Sequence, residues 1–169
     1  YTILTRSAYI EEYIDILSKG FCRCIYFTIN NLENSLKAQL EPKSPSYAER
    51  YRVINKLLDK NINVTPYFSP VLPWVSDIKG IFSIFPKAEA VEFEGLNFRV
   101  GNIEKIIEAV SSIYPNLKPD YEKLTKDKDF YGKFWGSIKK DISKQALMAK
   151  KRYNIYIHNF GSYFNNTYI

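Results

Sequence analysis

The sequence predicts an α/β fold, parallel β-α repeats followed by a helical, basic C-terminal extension, and three observations point to it. Stretches rich in β-branched and aromatic residues alternate with stretches of helical period as far as Pro115. Capping residues announce the clearest helices, Ser46 with Glu49 for one and Asn102 for another. Two strands close on polar clusters, Thr28-Ile29-Asn30 and Ser69-Pro70, and carboxyl ends of parallel strands are where such folds place their ligands. Periodicity leaves two architectures open at this point, half of a TIM-type barrel and a small open sheet.

Thr2 to Thr5 reads as a strand. From Ser7 to Leu17, apolar Ile10, Ile14 and Leu17 fall at helical spacing, and Gly20 is a natural stop. Phe21 to Ile29 is the next strand, followed by a polar loop that holds Glu41-Pro42 and Ser44-Pro45-Ser46. The helix opened by Ser46 puts Val53, Ile54, Leu57 and Leu58 on one face and ends at Asn61. Val64 to Phe68 is a strand. Ser76-Asp77 is expected to start a helix through Ile78, Ile81, Phe82 and Phe85, stopped by Pro86. Ala90 to Leu96 is a strand with Asn97 and Arg99 beyond its end. Asn102 is expected to cap a helix carrying Ile103, Ile106, Ile107 and Val110, closed by Tyr114-Pro115.

This alternation argues for parallel strands with right-handed crossovers over residues 1–116. The texture changes in residues 117–169. Two helices are expected there, Asp120–Lys126 and Ile138–Lys151, joined by an aromatic loop at Phe130–Gly136. Tyr153–Ile157 is a candidate terminal strand, and Gly161–Ile169 is a low-charge tail expected to order only against a partner.

With 169 residues and 46% hydrophobic content the chain can bury one substantial core. It contains no run of about 18 apolar residues, so no membrane partner is expected. The start at Tyr1, already inside a strand pattern, reads as a truncation or an unseen upstream region. Cys22 and Cys24 are too close for an unstrained disulfide and too few for a metal site, and read as two buried strand thiols, reduced in keeping with a cytoplasmic protein.

The formal charge is +6 and the pI about 9.1. From Lys118 to Arg152, eleven basic residues face five acidic ones, a surplus equal to that of the whole chain. Aromatic residues are interleaved with them, which fits cations tracking phosphates and rings stacking on bases. Lys133, Phe134, Trp135, Lys139 and Lys140 are the candidate nucleic-acid contacts. A plain lysine-rich solvated face is the other reading of the same segment.

Several residues together resemble the radical S-adenosylmethionine (SAM) superfamily, and most closely its spore photoproduct lyase-like branch. They are Leu4-Thr5-Arg6-Ser7 after the first strand, Thr28-Ile29-Asn30, then Glu41-Pro42, Ser44, Ser46 and Arg50 in order. Ser69-Pro70-Val71, Phe93-Glu94, Arg99 and Tyr114-Pro115 follow in register. The resemblance implies a partial TIM-type barrel of which this chain is the second half. It implies that Arg6 meets the SAM carboxylate, Thr28 its amino-acid or ribose end, and Ser69 its adenine. It also implies that Asn97 and Arg99 lie toward the substrate. An arginine fork suits a carboxylate. The family's C-x-x-x-C-x-x-C loop has no counterpart here, so a 4Fe-4S cluster is expected only through a region outside this chain.

Taken without the resemblance, Arg6 is a surface arginine, Thr28 a β-branched strand residue, and Glu41 with Arg50 a loop-to-helix ion pair. Glu92 and Glu94 alternate with Val91 and Phe93, which suits either a solvated face or a polar barrel interior. Two functions are therefore expected. One is the C-terminal part of a radical SAM enzyme, inactive alone, acting on nucleic acid. The other is a non-catalytic nucleic-acid-binding module. Expected partners are nucleic acid, the other half of the barrel, and a second copy through exposed strand edges.

Overall fold

The computed structural model describes residues 1–99 and 101–160. Five strands, β1 (Thr2–Thr5), β2 (Cys24–Ile29), β3 (Val64–Val71), β4 (Ala90–Gly95) and β5 (Arg152–Tyr156), form one sheet. Their order in space is their order in the chain, and every pairing is parallel. The α/β repeat is therefore as expected, with the terminal strand added beside β4. β1 and β5 are the two edges, so the described sheet is open.

Seven helices connect the strands: α1 (Ile14–Leu17), α2 (Asn34–Leu40), α3 (Tyr47–Asp59), α4 (Ile81–Ile84), α5 (Ile103–Ile113), α6 (Lys118–Lys126) and α7 (Lys128–Ala149). A 3-10 turn at Ala8–Tyr13 precedes α1, so only the last part of the expected first helix is α-helical. Alternation along the strands places Ile25, Phe27, Phe68, Val91, Phe93 and Ile155 on one face, where Leu36, Ile54, Phe82, Trp135 and Ile142 pack against them. Among the described residues no helix covers the other face, where Tyr26, Tyr67, Glu92, Glu94 and Asn154 are partly or fully exposed, while Thr28, on the same face beneath the Glu41 cluster, is buried. All-parallel sheets normally have both faces buried, and a polar uncovered face is what a barrel lumen presents.

The Ser46 cap is present: its hydroxyl accepts the Glu49 amide at 3.2 Å, and the helix ends before Asn61, whose φ is +56°. Other expectations need correction. The loop before Glu41 contains α2, held by Leu36, which is buried, and by contacts of α2 with α5. The helix expected from Ser76 is only α4, because Ser76 Oγ is used to accept the Leu72 amide at 2.9 Å and Gly80 adopts φ +65°. Asn102 makes no side-chain cap, since its backbone is not in the extended conformation that a cap requires.

The largest correction is at Phe130–Gly136, which is not a loop. Asp127 accepts the Phe130 amide at 2.9 Å and opens a continuous 22-residue α7. Tyr131, Phe134, Trp135, Ile138 and Ile142 form one inward stripe at spacings of three and four, and that burial outweighs two helix-weakening glycines. At the close of α7, Lys150 takes φ +53° and Lys151 N bonds Ala146 O at 3.0 Å, which turns the chain directly into β5.

Candidate functional site at the carboxyl rim

Because all five strands run the same way, their carboxyl ends share one rim. Arg6 follows β1, Thr28 lies near the end of β2, and Ser69 lies near the end of β3, with Thr28 opposite Tyr67 in register. The three residues proposed from sequence are thus on the same rim. Cys22 and Cys24 lie toward the opposite, amino-terminal rim and are free thiols; only Cys24 is a buried strand thiol, touching Thr65 Oγ1 at 3.3 Å, while Cys22 precedes β2 and is half-buried. Among the described residues no group of three His, Cys, Asp or Glu is placed to hold a metal ion.

Two carboxylates organise the rim. Glu41, almost fully buried, accepts from Arg6 at 2.7 Å, from Asn30 Nδ2 at 3.2 Å and from Ser44 Oγ at 3.0 Å, and it is bonded by Arg50 NH2. Arg50 is itself fully buried and also donates to Thr28 O and Pro45 O, each at 3.2 Å. Tyr47 OH donates to Asn30 Oδ1 at 2.5 Å and completes the cluster. Burial would raise the Glu41 carboxyl, but the Arg50 hydrogen bond and charge, helped by Arg6 and Ser44, hold it below the usual carboxylate range. The ion-pair reading of Glu41 and Arg50 was therefore right, and Arg6 joins it. Two guanidiniums against one carboxylate leave a net positive charge, and the Arg6 side chain is about half exposed at 51%. Arg6, Tyr9 and the Glu41–Pro45 loop line an open groove of about 510 Å³.

The second carboxylate is Glu94, on the uncovered face of β4. It accepts from Ser69 Oγ at 2.5 Å and Tyr67 OH at 2.9 Å, and lies 3.1 Å from His158 Nε2. The His158 hydrogen bond, with Ser69 and Tyr67, lowers its carboxyl to about 2 against the cost of partial burial. Burial, then Glu94, push the Tyr67 hydroxyl up. His158 was not singled out from sequence, since nothing local marks it. The signal was distributed: β5 had to be recognised as a neighbour of β4 before its continuation faced Glu94. Asn97 and Arg99 lie in the loop after β4, the Arg99 amide donating to Asn97 Oδ1 at 3.1 Å. With His158 they line a cavity of about 100 Å³.

The proposed nucleic-acid contacts divide. Lys133, Lys139 and Lys140 lie on the exposed outer face of α7. Trp135 does not belong with them: it is 3% exposed and packs over Gly95 under the sheet. Phe134 is half-buried and lies against Trp74, ring centroids 4.6 Å apart. The ring that solvent reaches in this cluster is Trp74, 43% exposed, on the turn after β3 at φ +61°. The tail from 161 to 169 lies outside the described residues.

The chain is 28% identical over 150 residues to an uncharacterized protein, MJ0683, of Methanocaldococcus jannaschii. That match covers 88% of this chain and 56% of the other, so the chain spans about half the length of the curated relative it matches. No family model matches, and no solved structure matches. None of the described helices is long and apolar enough to cross a membrane.

Proposed function

We propose that this chain is the C-terminal part of a radical SAM enzyme resembling the spore photoproduct lyase-like branch, and that it binds SAM at the carboxyl rim. The observation that carries the reading is the rim itself: Arg6, Thr28 and Ser69 fall at three neighbouring strand ends of a parallel sheet whose inner face is polar and uncovered. The donor set suits the ligand. SAM offers a carboxylate to the net positive Arg6–Glu41–Arg50 cluster, whose exposed member is Arg6, and Arg50 and Asn30 fix Glu41 so that Arg6 is presented in one place. When bound to a reduced 4Fe-4S cluster, SAM supplies the radical chemistry, and the protein's part is to position and enclose it. Cys22 and Cys24 do not fit a cluster, being two thiols on the wrong rim, and on this reading its ligands come from a region outside this chain.

A second reading, contact with nucleic acid, is favoured by one further observation. Part of the positive surplus, chiefly five lysines against two aspartates on α7, sits on the helix pair α6 and α7 whose Tyr121, Phe130 and Phe134 support the exposed Trp74 ring. Bases stack on such a ring while lysines track phosphates.

The test of the enzyme reading is the product of the complete reading frame. It is expected to carry C-x-x-x-C-x-x-C upstream of Tyr1 and, reconstituted anaerobically with iron and sulfide, to release 5′-deoxyadenosine from SAM when reduced. A reading frame that begins within a few residues of Tyr1 would leave the binding-module reading in its place.

A further inference from the structure

The groups on β3, β4 and the end of β5 form a site of their own beside the Arg6 cluster. Glu94 makes three side-chain contacts: Oε2 takes Ser69 and Tyr67, and Oε1 takes His158. Its effect on the cavity is to fix the imidazole through Nε2, leaving Nδ1 as the nitrogen not engaged with Glu94. The adjoining cavity of about 100 Å³ is lined by the polar residues Asn97, Arg99, Thr125, His158 and Asn159. Among the described residues no acidic side chain lines it, and Phe98, Leu124, Tyr131 and Phe160 form apolar walls that limit water. The volume matches a group that replaces about three waters. Guanidinium, imidazole, amide and hydroxyl in one apolar-walled recess are complementary to a compact oxyanion, and the low dielectric strengthens each contact.

We propose that this cavity is an oxyanion-binding site, taking a phosphate or carboxylate group of a ligand on Arg99 and His158, with Glu94 as the positioning residue for His158. The groups facing His158 are Glu94 from β4, Tyr67 from β3 through Glu94, Arg99 from the loop after β4, and Tyr131 from α7, whose hydroxyl bonds the His158 carbonyl. The inference stands on this cavity and holds whether or not SAM binds at Arg6.

His158 is the only histidine in the chain, so its ring signals are unambiguous. The experiment is a histidine-ring NMR titration with inorganic phosphate, against sodium chloride at matched ionic strength, in the absence of SAM. Phosphate is expected to shift the His158 resonances saturably. Arg99→Ala is expected to weaken the phosphate response about tenfold, and Arg99→Lys to restore part of it. Glu94→Gln is expected to change the tautomer balance of the His158 ring in the free protein, read from its nitrogen shifts, which a merely structural hydroxyl network would not do. Acetate, a nucleoside monophosphate and a short single-stranded oligonucleotide, run in parallel, distinguish carboxylate, phosphomonoester and backbone phosphate as the source. An equal response to chloride, no saturable response to any of these anions, or an unchanged saturable response in a folded Arg99→Ala variant would overturn the proposal.

Discussion

Replacing Arg50 with Met removes a fully buried guanidinium while keeping most of its aliphatic volume. Three acceptors lose the Arg50 donor, Glu41 Oε2, Thr28 O and Pro45 O, although Glu41 Oε2 keeps Ser44 Oγ. Losing one partner of a buried ion pair costs about 3–5 kcal/mol, chiefly because the other charge stays behind without water. Glu41 keeps Arg6, Asn30 and Ser44, which places the expectation near the lower end, at about 3 kcal/mol. With a urea dependence of about 1.5 kcal/mol per molar, the unfolding midpoint is expected to fall by about 2 M. The loss also has a pH signature. The Glu41 carboxyl is held below its ordinary range in the native state, so its contribution is full above the unfolded pKa and fades as pH falls. The Arg50→Met deficit is therefore expected to be largest at neutral pH and to shrink in acid. A midpoint change worth under about 1 kcal/mol at pH 7, measured by urea titration with circular dichroism, would show that the Glu41 cluster is a solvated ion pair and refute the reasoning.

Gly95→Ala is expected to destabilise by about 1–3 kcal/mol, because its Cβ would lie 2.9 Å from Trp135 Cη2 and 3.1 Å from Ile157 Cδ1; thermal unfolding reads this directly. Trp135→Ala is expected to cost about 3–5 kcal/mol of stability, whereas Trp74→Ala should leave stability nearly unchanged and weaken single-stranded DNA by about 1–3 kcal/mol in a fluorescence titration. Changing Lys139 and Lys140 together should reduce the salt slope of that binding. Glu94, lowered to about 2 in the native protein from an ordinary 4.5, stabilises above that ordinary value, and the contribution is lost as pH falls from 4.5 toward 2. Glu94→Gln should therefore narrow its stability deficit against the parent protein across that window in an acid titration.

Much of the fold was legible because its signals were local. The Ser46 cap and the Val53, Ile54, Leu57, Leu58 stripe act within one helix, and both are present. α2 was missed although Leu32, Leu36 and Leu40 repeat every four residues, because two turns of helix among Asn, Glu and Ser read as loop. Phe130–Gly136 read as an aromatic loop between two helices, while in the molecule burial of Tyr131 and Trp135 holds it in one helix. Trp135 was misplaced for the same reason: composition marks a ring but not the side of the helix on which it sits. On the rim, Arg6, Thr28 and Ser69 were placed by strand ends alone. The Glu94–His158 pair was not, since 64 positions separate the two residues and only the pairing of β4 with β5 brings them together.

The central claim, that the carboxyl rim binds SAM, is tested most directly by isothermal titration of SAM into the chain and into Arg6→Ala, Thr28→Val and Lys140→Ala variants. The account predicts saturable binding that Arg6→Ala weakens about tenfold, that Thr28→Val weakens less, and that Lys140→Ala leaves unchanged. Binding that is indifferent to Arg6 and Thr28, or absent from a chain shown to be folded, would contradict it.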